Sequence, residues 1–178
     1  DQYLTETLKK EIHEALSNAT RETTGFFINR RVYFMGRWIK HGGYYPTRLL
    51  RLFRYGKGRL ESRAMDEHVS LLEGKAEKLK NDFIDDNRKD LTWWTDKHNR
   101  YSLREASDIL RIKGASRLGG QAQRRRWLKE HVFLRMPLFW RAFFYFLYRY
   151  IFLFGFLDGK EGLIFHFLQG GWYRFLVD

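Results

Sequence analysis

This sequence predicts a mixed α/β chain ending in amphipathic aromatic helices, on three observations. Apolar residues recur at helical spacing from Thr5 to Ala19. Short apolar and aromatic runs, punctuated by Gly and Pro, follow between Gly25 and Arg63. From Val132 to Phe156 the chain carries twelve aromatic residues but is interrupted by Arg135, Arg141 and Arg149. Each of those charges would cost ~2.5–3.5 kcal/mol at mid-bilayer, so the tail is expected to lie along a membrane and not across it.

The elements follow in order. Thr5 is the expected N-cap of the first helix, with Leu4, Leu8, Ile12, Ala15, Leu16 and Ala19 on one stripe and Glu11, His13 and Glu14 facing solvent. Phe26-Phe27-Ile28 and Val32-Tyr33-Phe34-Met35 read as two short strands, with turns at Gly36, Gly42-Gly43 and Pro46. Arg48 to Arg54 alternates in part, like a half-buried strand with basic residues on one side, and Gly56-Lys57-Gly58 turns it. Val69 to Leu72 and Ala76 to Leu79 read as two strands around Glu73-Gly74-Lys75. Asp90 is placed to cap a helix from Leu91 to Ile112, with Trp93, Trp94, Ala106, Ile109 and Leu110 in the core. Gly114 to Gly120 reads as a linker, giving an α/β part over 1–120 and a helical membrane-interface segment over 121–178.

Charge narrows the partners. A net charge of +12 and a pI near 10 imply an anionic partner. Between Phe26 and Arg63 there are ten Lys or Arg against one acid, Glu61, which reads as a basic wall facing an anion. On a helix at ~100° per residue the three tail arginines fall within about a third of the circumference, an arrangement suited to an anionic membrane surface. A second amphipathic segment runs from Leu163 to Phe175. No nucleic-acid partner is expected: the charge and aromatics also fit a nucleic-acid-binding module, the least favoured alternative, but the aromatics gather in one tail instead of alternating with basic residues on a sheet. With no cysteine there is no disulfide framework, zinc–thiolate site or thiol nucleophile.

Residues 65–106 concentrate acids, histidines and amides: Met65-Asp66-Glu67-His68, Asn81-Asp82-Phe83-Ile84-Asp85, and Lys97-His98-Asn99-Arg100 onward. Set between an arginine-rich stretch and an aromatic tail, they suggest chemistry on an anionic substrate beside a membrane.

Four stretches carry a family resemblance. Asp1-Gln2-Tyr3-Leu4-Thr5-Glu6-Thr7-Leu8 is similar to the end of a D-x-D motif and the helix after it. Arg51-Leu52-Phe53-Arg54 with Gly56 resembles an RLFR strand. Met65-Asp66-Glu67-His68 with Gly74 resembles an acidic acceptor-site motif, and Phe154-Gly155-Phe156-Leu157-Asp158-Gly159-Lys160-Glu161-Gly162 a G-F-L-D-G-x-x-G signature. Together they resemble the second, acceptor-side half of bacterial family 2 glycosyltransferases of the GT-A fold, which build cell-envelope polysaccharides. The donor-binding half of such enzymes and the first Asp of D-x-D are absent, and Gln2 stands where Glu is usual, so the chain is expected to be a fragment that binds no nucleotide-sugar by itself.

The resemblance implies an inverting sugar transfer from a nucleotide-diphosphate donor to a lipid-linked or glycan hydroxyl, at the cytoplasmic face of the cell membrane. It implies Glu67 as the proton acceptor, with Asp66 second; in an extended segment the two point to opposite sides, so one serves. A divalent metal, Mg or Mn, is expected in the complete enzyme, with Asp1 as its ligand. Arg51 and Arg54 would lie on the phosphate side or grip an anionic lipid carrier, and His68 would position its neighbour. Lys97, His98 and Asn99 would contact the acceptor sugar or serve in capping and packing.

Overall fold

The computed structural model describes residues 1–60, 68–111 and 135–178. Asp66, Glu67, the linker expected at Gly114 to Gly120 and the boundary expected at 120 lie outside them. The described residues form two units, a sheet unit of 1–40, 44–60 and 68–87 and a helical unit of 41–43, 88–111 and 135–178. The architecture is mixed α/β with a mixed sheet and several helices, as expected.

The sheet unit begins with strand β1 (Gln2–Leu4) and helix α1 (Glu6–Asn18). The Thr5 hydroxyl accepts the Leu8 N–H at 3.2 Å, the expected cap. Strands β2 (Thr23–Phe34), β3 (Arg37–Trp38), β4 (Thr47–Phe53), β5 (Gly58–Leu60), β6 (Val69–Leu71) and β7 (Lys75–Asn87) follow. The main sheet runs β1-β7-β2-β3, with β4 also on β2. The β2–β7 pairing is parallel and the others are antiparallel, and β5 pairs only with β6. Leu8 on α1 packs into a core with Phe26, Ile28, Leu79 and Phe83, backed by Ile12, Ala15 and Ala19. Each such side chain fully buried contributes about 1.5–3 kcal/mol. Leu4 and Leu16 are exposed, so the buried stripe of α1 is narrower than the sequence spacing suggests.

The two strands expected at Phe26 and Val32 are one strand. Asn29-Arg30-Arg31 continues β2 because β7 supplies carboxylates at matching positions: Arg31 meets Asp82 at 2.8 Å and Arg30 meets Asp85 at 3.5 Å. For the same reason β7 runs past Leu79 to Asn87, through acids of low strand propensity. The β2–β7 register shifts between Phe27 and Asn29, opposite Lys78 and Asp82. There the Glu11 carboxylate accepts the backbone N–H of Lys80 (2.6 Å) and Asn81 (2.8 Å) and the Asn81 amide (2.8 Å). Glu11, expected to face solvent, instead satisfies the donors at the bulge. Burial pushes its carboxyl up, but these hydrogen bonds outweigh that and hold it below its usual value.

The helical unit opens with α2 (Leu91–Arg111), where Asp90 accepts the Trp93 N–H at 2.8 Å, again the expected cap. Trp94 is buried, whereas Trp93 and Leu110, expected in the core, are exposed. Neighbours on a helix point ~100° apart, and here the buried stripe takes Trp94 and leaves Trp93 outside. Helices α3 (Trp140–Leu147), α4 (Gly159–His166) and α5 (Tyr173–Val177) follow. Tyr148–Phe152 and Phe167–Trp172 are π-helical, and Gly155–Asp158 is a 3₁₀ turn.

The continuous helix expected over Val132 to Phe156 is not what forms. Among the described residues it starts only at Trp140, after Phe139 at φ +66°, and the chain turns again at Phe154 at φ +58°. The Phe139 N–H at the head of α3 is met by the Asp178 carboxylate at 2.8 Å, a partner remote in sequence. The arginine strip is not a free cationic face either. Arg141 is buried on Asp178 at 2.5 Å, and Arg149 donates to the Gly42 carbonyl and the Tyr145 hydroxyl. Among the described residues, no helix is long and apolar enough to cross a membrane.

Candidate functional site

Glu67 and Asp66, the expected proton acceptors, lie outside the described residues. His68 is half-buried ahead of β6. Arg51 on β4 places its guanidinium 5.8 Å from the Phe83 ring and lines a hollow of about 150 Å³ with Gln2, Tyr3, Leu4 and Ile28. The Arg54 guanidinium donates to the Thr20 carbonyl at 3.0 Å. Asp1 accepts the Asp86 N–H through its backbone carbonyl. Among the described residues no group of three His, Asp or Glu side chains is arranged to hold a metal, so Asp1 has no companions there for the ligand role.

Lys97 lies over the Trp93 and Tyr101 rings at 4.9 and 5.5 Å. His98 stacks on Trp94 with ring centroids 3.5 Å apart, meets Tyr173 edge-on at 5.5 Å and bonds the Trp94 carbonyl through Nδ1 at 2.8 Å. Burial, with Lys97 beside it, holds the His98 imidazole below its usual value. Of the two roles open to His98, these contacts are those of packing.

Within the helical unit the structure assembles a polar cluster that sequence reading missed. Asp158, in the G-F-L-D-G stretch, is buried and accepts two hydrogen bonds from His41, one from the backbone N–H (2.9 Å) and one from ring Nδ1 (2.7 Å). His166 Nε2 lies 3.7 Å from Asp158 Oδ2, the oxygen that accepts the His41 backbone N–H. Burial pushes the Asp158 carboxyl up, but the nearby His166 ring and the hydrogen bonds from His41 more than offset that, so it sits below its ordinary value. Burial lowers the His166 imidazole despite Asp158, which favours its neutral form.

Gly42 closes the cluster. At φ +65°, a Cβ there would sit 2.0 Å from His166 Cε1, so only glycine fits. Its N–H donates to the Leu153 carbonyl at 2.8 Å, and its own carbonyl accepts Arg149 Nε at 2.6 Å. The signals were present in sequence, as a Gly-Gly turn and an Asp in a motif, but 117 residues separate His41 from Asp158 and no local pattern links them.

A second buried polar cluster lies in the sheet unit. Asp82 accepts from Arg31 and from the Tyr45 hydroxyl (3.1 Å), and Arg31 lies over the Trp38 ring at 4.4 Å. Burial, with Asp82 beside it, raises the Tyr45 phenol and keeps it a donor. A third, Glu105, takes the Tyr173 hydroxyl and the Arg174 guanidinium, each at 2.6 Å. Asp82 and Glu105 each meet partners from other elements and tie them together. The His41–Asp158 pair differs, because His41 stands on a loop and is partly open to solvent. No family model matches this chain, and no solved structure matches it.

Proposed function

We propose that this chain is the acceptor side of a membrane-associated glycosyltransferase. It would move a sugar from a nucleotide-diphosphate donor to a lipid-linked or polysaccharide hydroxyl at the cytoplasmic face of the cell membrane. Most of the support is one observation, the occurrence in a single chain of Met65-Asp66-Glu67-His68 with Gly74 and of Phe154 to Gly162. In this reading the Glu67 carboxylate takes the acceptor hydroxyl proton as that oxygen bonds the anomeric carbon. The bond from anomeric carbon to phosphate oxygen breaks, and the nucleoside diphosphate leaves with the electron pair, inverting the centre. Arg51 and Arg54 would offset charge on the phosphate side. The divalent metal stays part of the proposal for the complete enzyme.

The membrane part of the reading rests on the helical unit, where Phe139, Trp140, Phe143, Phe144, Phe152 and Phe167 are exposed. Aromatic side chains gathered on one solvated unit suit the interfacial region of a bilayer. Liposome flotation is expected to show binding that strengthens with anionic lipid and weakens with salt, given a screening length of ~8 Å at physiological ionic strength.

The test of the chemistry is turnover of a membrane-bound, donor-competent form with a panel of nucleotide-sugars. Glu67→Gln is expected to lower it ~10²–10⁴-fold, and Asp66→Asn much less. The reverse ranking transfers the role to Asp66; near-full activity in both variants ends the acceptor-site reading. The same exposed aromatics favour a second reading, a noncatalytic membrane-associated basic module, which would float with liposomes and transfer no sugar.

A further inference from the structure

We propose that His41 is a phosphate-binding residue, its imidazole anchored through Nδ1 on buried Asp158 and turning Nε2 outward to donate to a phosphate or diphosphate oxygen. An ionised carboxylate only accepts hydrogen bonds, so the hydrogen facing Asp158 stays on Nδ1. With Nδ1–H given to Asp158, Nε2 has a hydrogen to donate only when the ring is an imidazolium, so that is the form that would hold a phosphate; no described residue is hydrogen-bonded to Nε2. The His41 side chain is 32% exposed while that of Asp158 is 3% exposed, the layout of a displayed group on a fixed anchor.

The loop is preorganised. Gly42 is held at its N–H by Leu153, at its carbonyl by Arg149 and at its α-carbon by the His166 ring. Gly43 follows, exposed, at φ +73°, a backbone conformation that few side chains adopt. The charges around the loop select the ligand. The Asp158 carboxylate faces inward onto His41, Arg149 reaches the loop carbonyl, and Lys40 precedes His41 in the chain. The imidazolium then offers a phosphate a charge-assisted donor, with the Arg149 guanidinium close by, on a carbonyl of the same loop.

The proposal does not rest on sugar transfer, and its test uses none. Imidazole resonances of His41 would be followed by NMR while inorganic pyrophosphate is added and, separately, vesicles of phosphatidylcholine with and without phosphatidic acid. Saturable shifts are expected with a phosphate probe. His41→Ala is expected to weaken that binding about tenfold to a hundredfold, the worth of one hydrogen bond to a charged group. A response to pyrophosphate points to a soluble phosphoryl ligand, and one confined to phosphatidic acid vesicles to a lipid-borne phosphate. No saturable shift with either probe, or unchanged affinity in His41→Ala, overturns the proposal. His41 sits on a partly exposed loop, and an unchanged melting curve for His41→Ala would separate lost binding from lost folding.

Discussion

The sheet unit and the helical unit differ in how much charge they bury and in what they show solvent. The sheet unit hides Leu8, Phe26, Ile28, Leu79 and Phe83 and shows solvent the cations Arg48, Arg51 and Arg54. The helical unit buries ionic groups, Arg141 on Asp178, Glu105 on Arg174 and Asp158 on His41, and leaves Phe139, Trp140, Phe143 and Phe144 exposed. In water the first arrangement follows from the hydrophobic effect. The second costs desolvation for every buried ion and gains nothing from its exposed rings. The membrane association proposed above would give those rings an apolar medium to meet.

The largest expected effect comes from breaking a pair inside the helical unit. Glu105→Gln removes the buried charge that the Tyr173 hydroxyl and the Arg174 guanidinium meet and should cost about 3–5 kcal/mol, read from urea unfolding. Replacing both partners, as Glu105→Leu with Arg174→Met, should recover most of that loss. If the double variant is as unstable as the single one, the charges themselves hold the unit and the contrast with the sheet unit is stronger than proposed.

Leu8→Ala probes the other side of the comparison. It removes a fully buried side chain from the sheet core and should cost about 2–5 kcal/mol in the same measurement. A loss under about 1 kcal/mol would show that the Arg31–Asp82 and Arg30–Asp85 pairs, and not the apolar core, dominate there.

Acid should loosen the helical unit. His98 and His166 are held below their ordinary value of about 6.5, so the unfolded chain takes up protons first as pH falls. Their contribution is complete above that value and is lost as pH drops through the folded values. Asp158, also lowered, adds a loss of the same sign below about pH 4. Urea midpoints should fall between about pH 7.5 and 5.5, and His98→Gln should flatten part of that slope. Midpoints that rise on acidification would contradict the burial of neutral imidazoles.

The smallest effect is expected at the exposed rings. Phe143→Ser with Phe144→Ser should change stability by no more than about 0.5 kcal/mol per site. The same change should reduce liposome binding clearly. Lost stability with unchanged flotation would mean that these rings pack on protein.

The sequence by itself determined the local features. Thr5 and Asp90 announced their helices because an N-cap is written within three residues, and the glycine turns because positive φ excludes most side chains. Mixed α/β character followed from the change of apolar period along the chain. Tertiary structure decided what depends on partners far along the chain. The Asn29 to Arg31 run is strand because Asp82 and Asp85 lie beside it. Glu11 is bound because a bulge leaves two N–H groups open, and the Phe139 N–H at the head of α3 is met by Asp178. His41 gained its anchor from a residue 117 positions away. Such contacts arise when a buried polar group must find a partner somewhere in the folded chain, and nothing in the local spacing says where that partner will be.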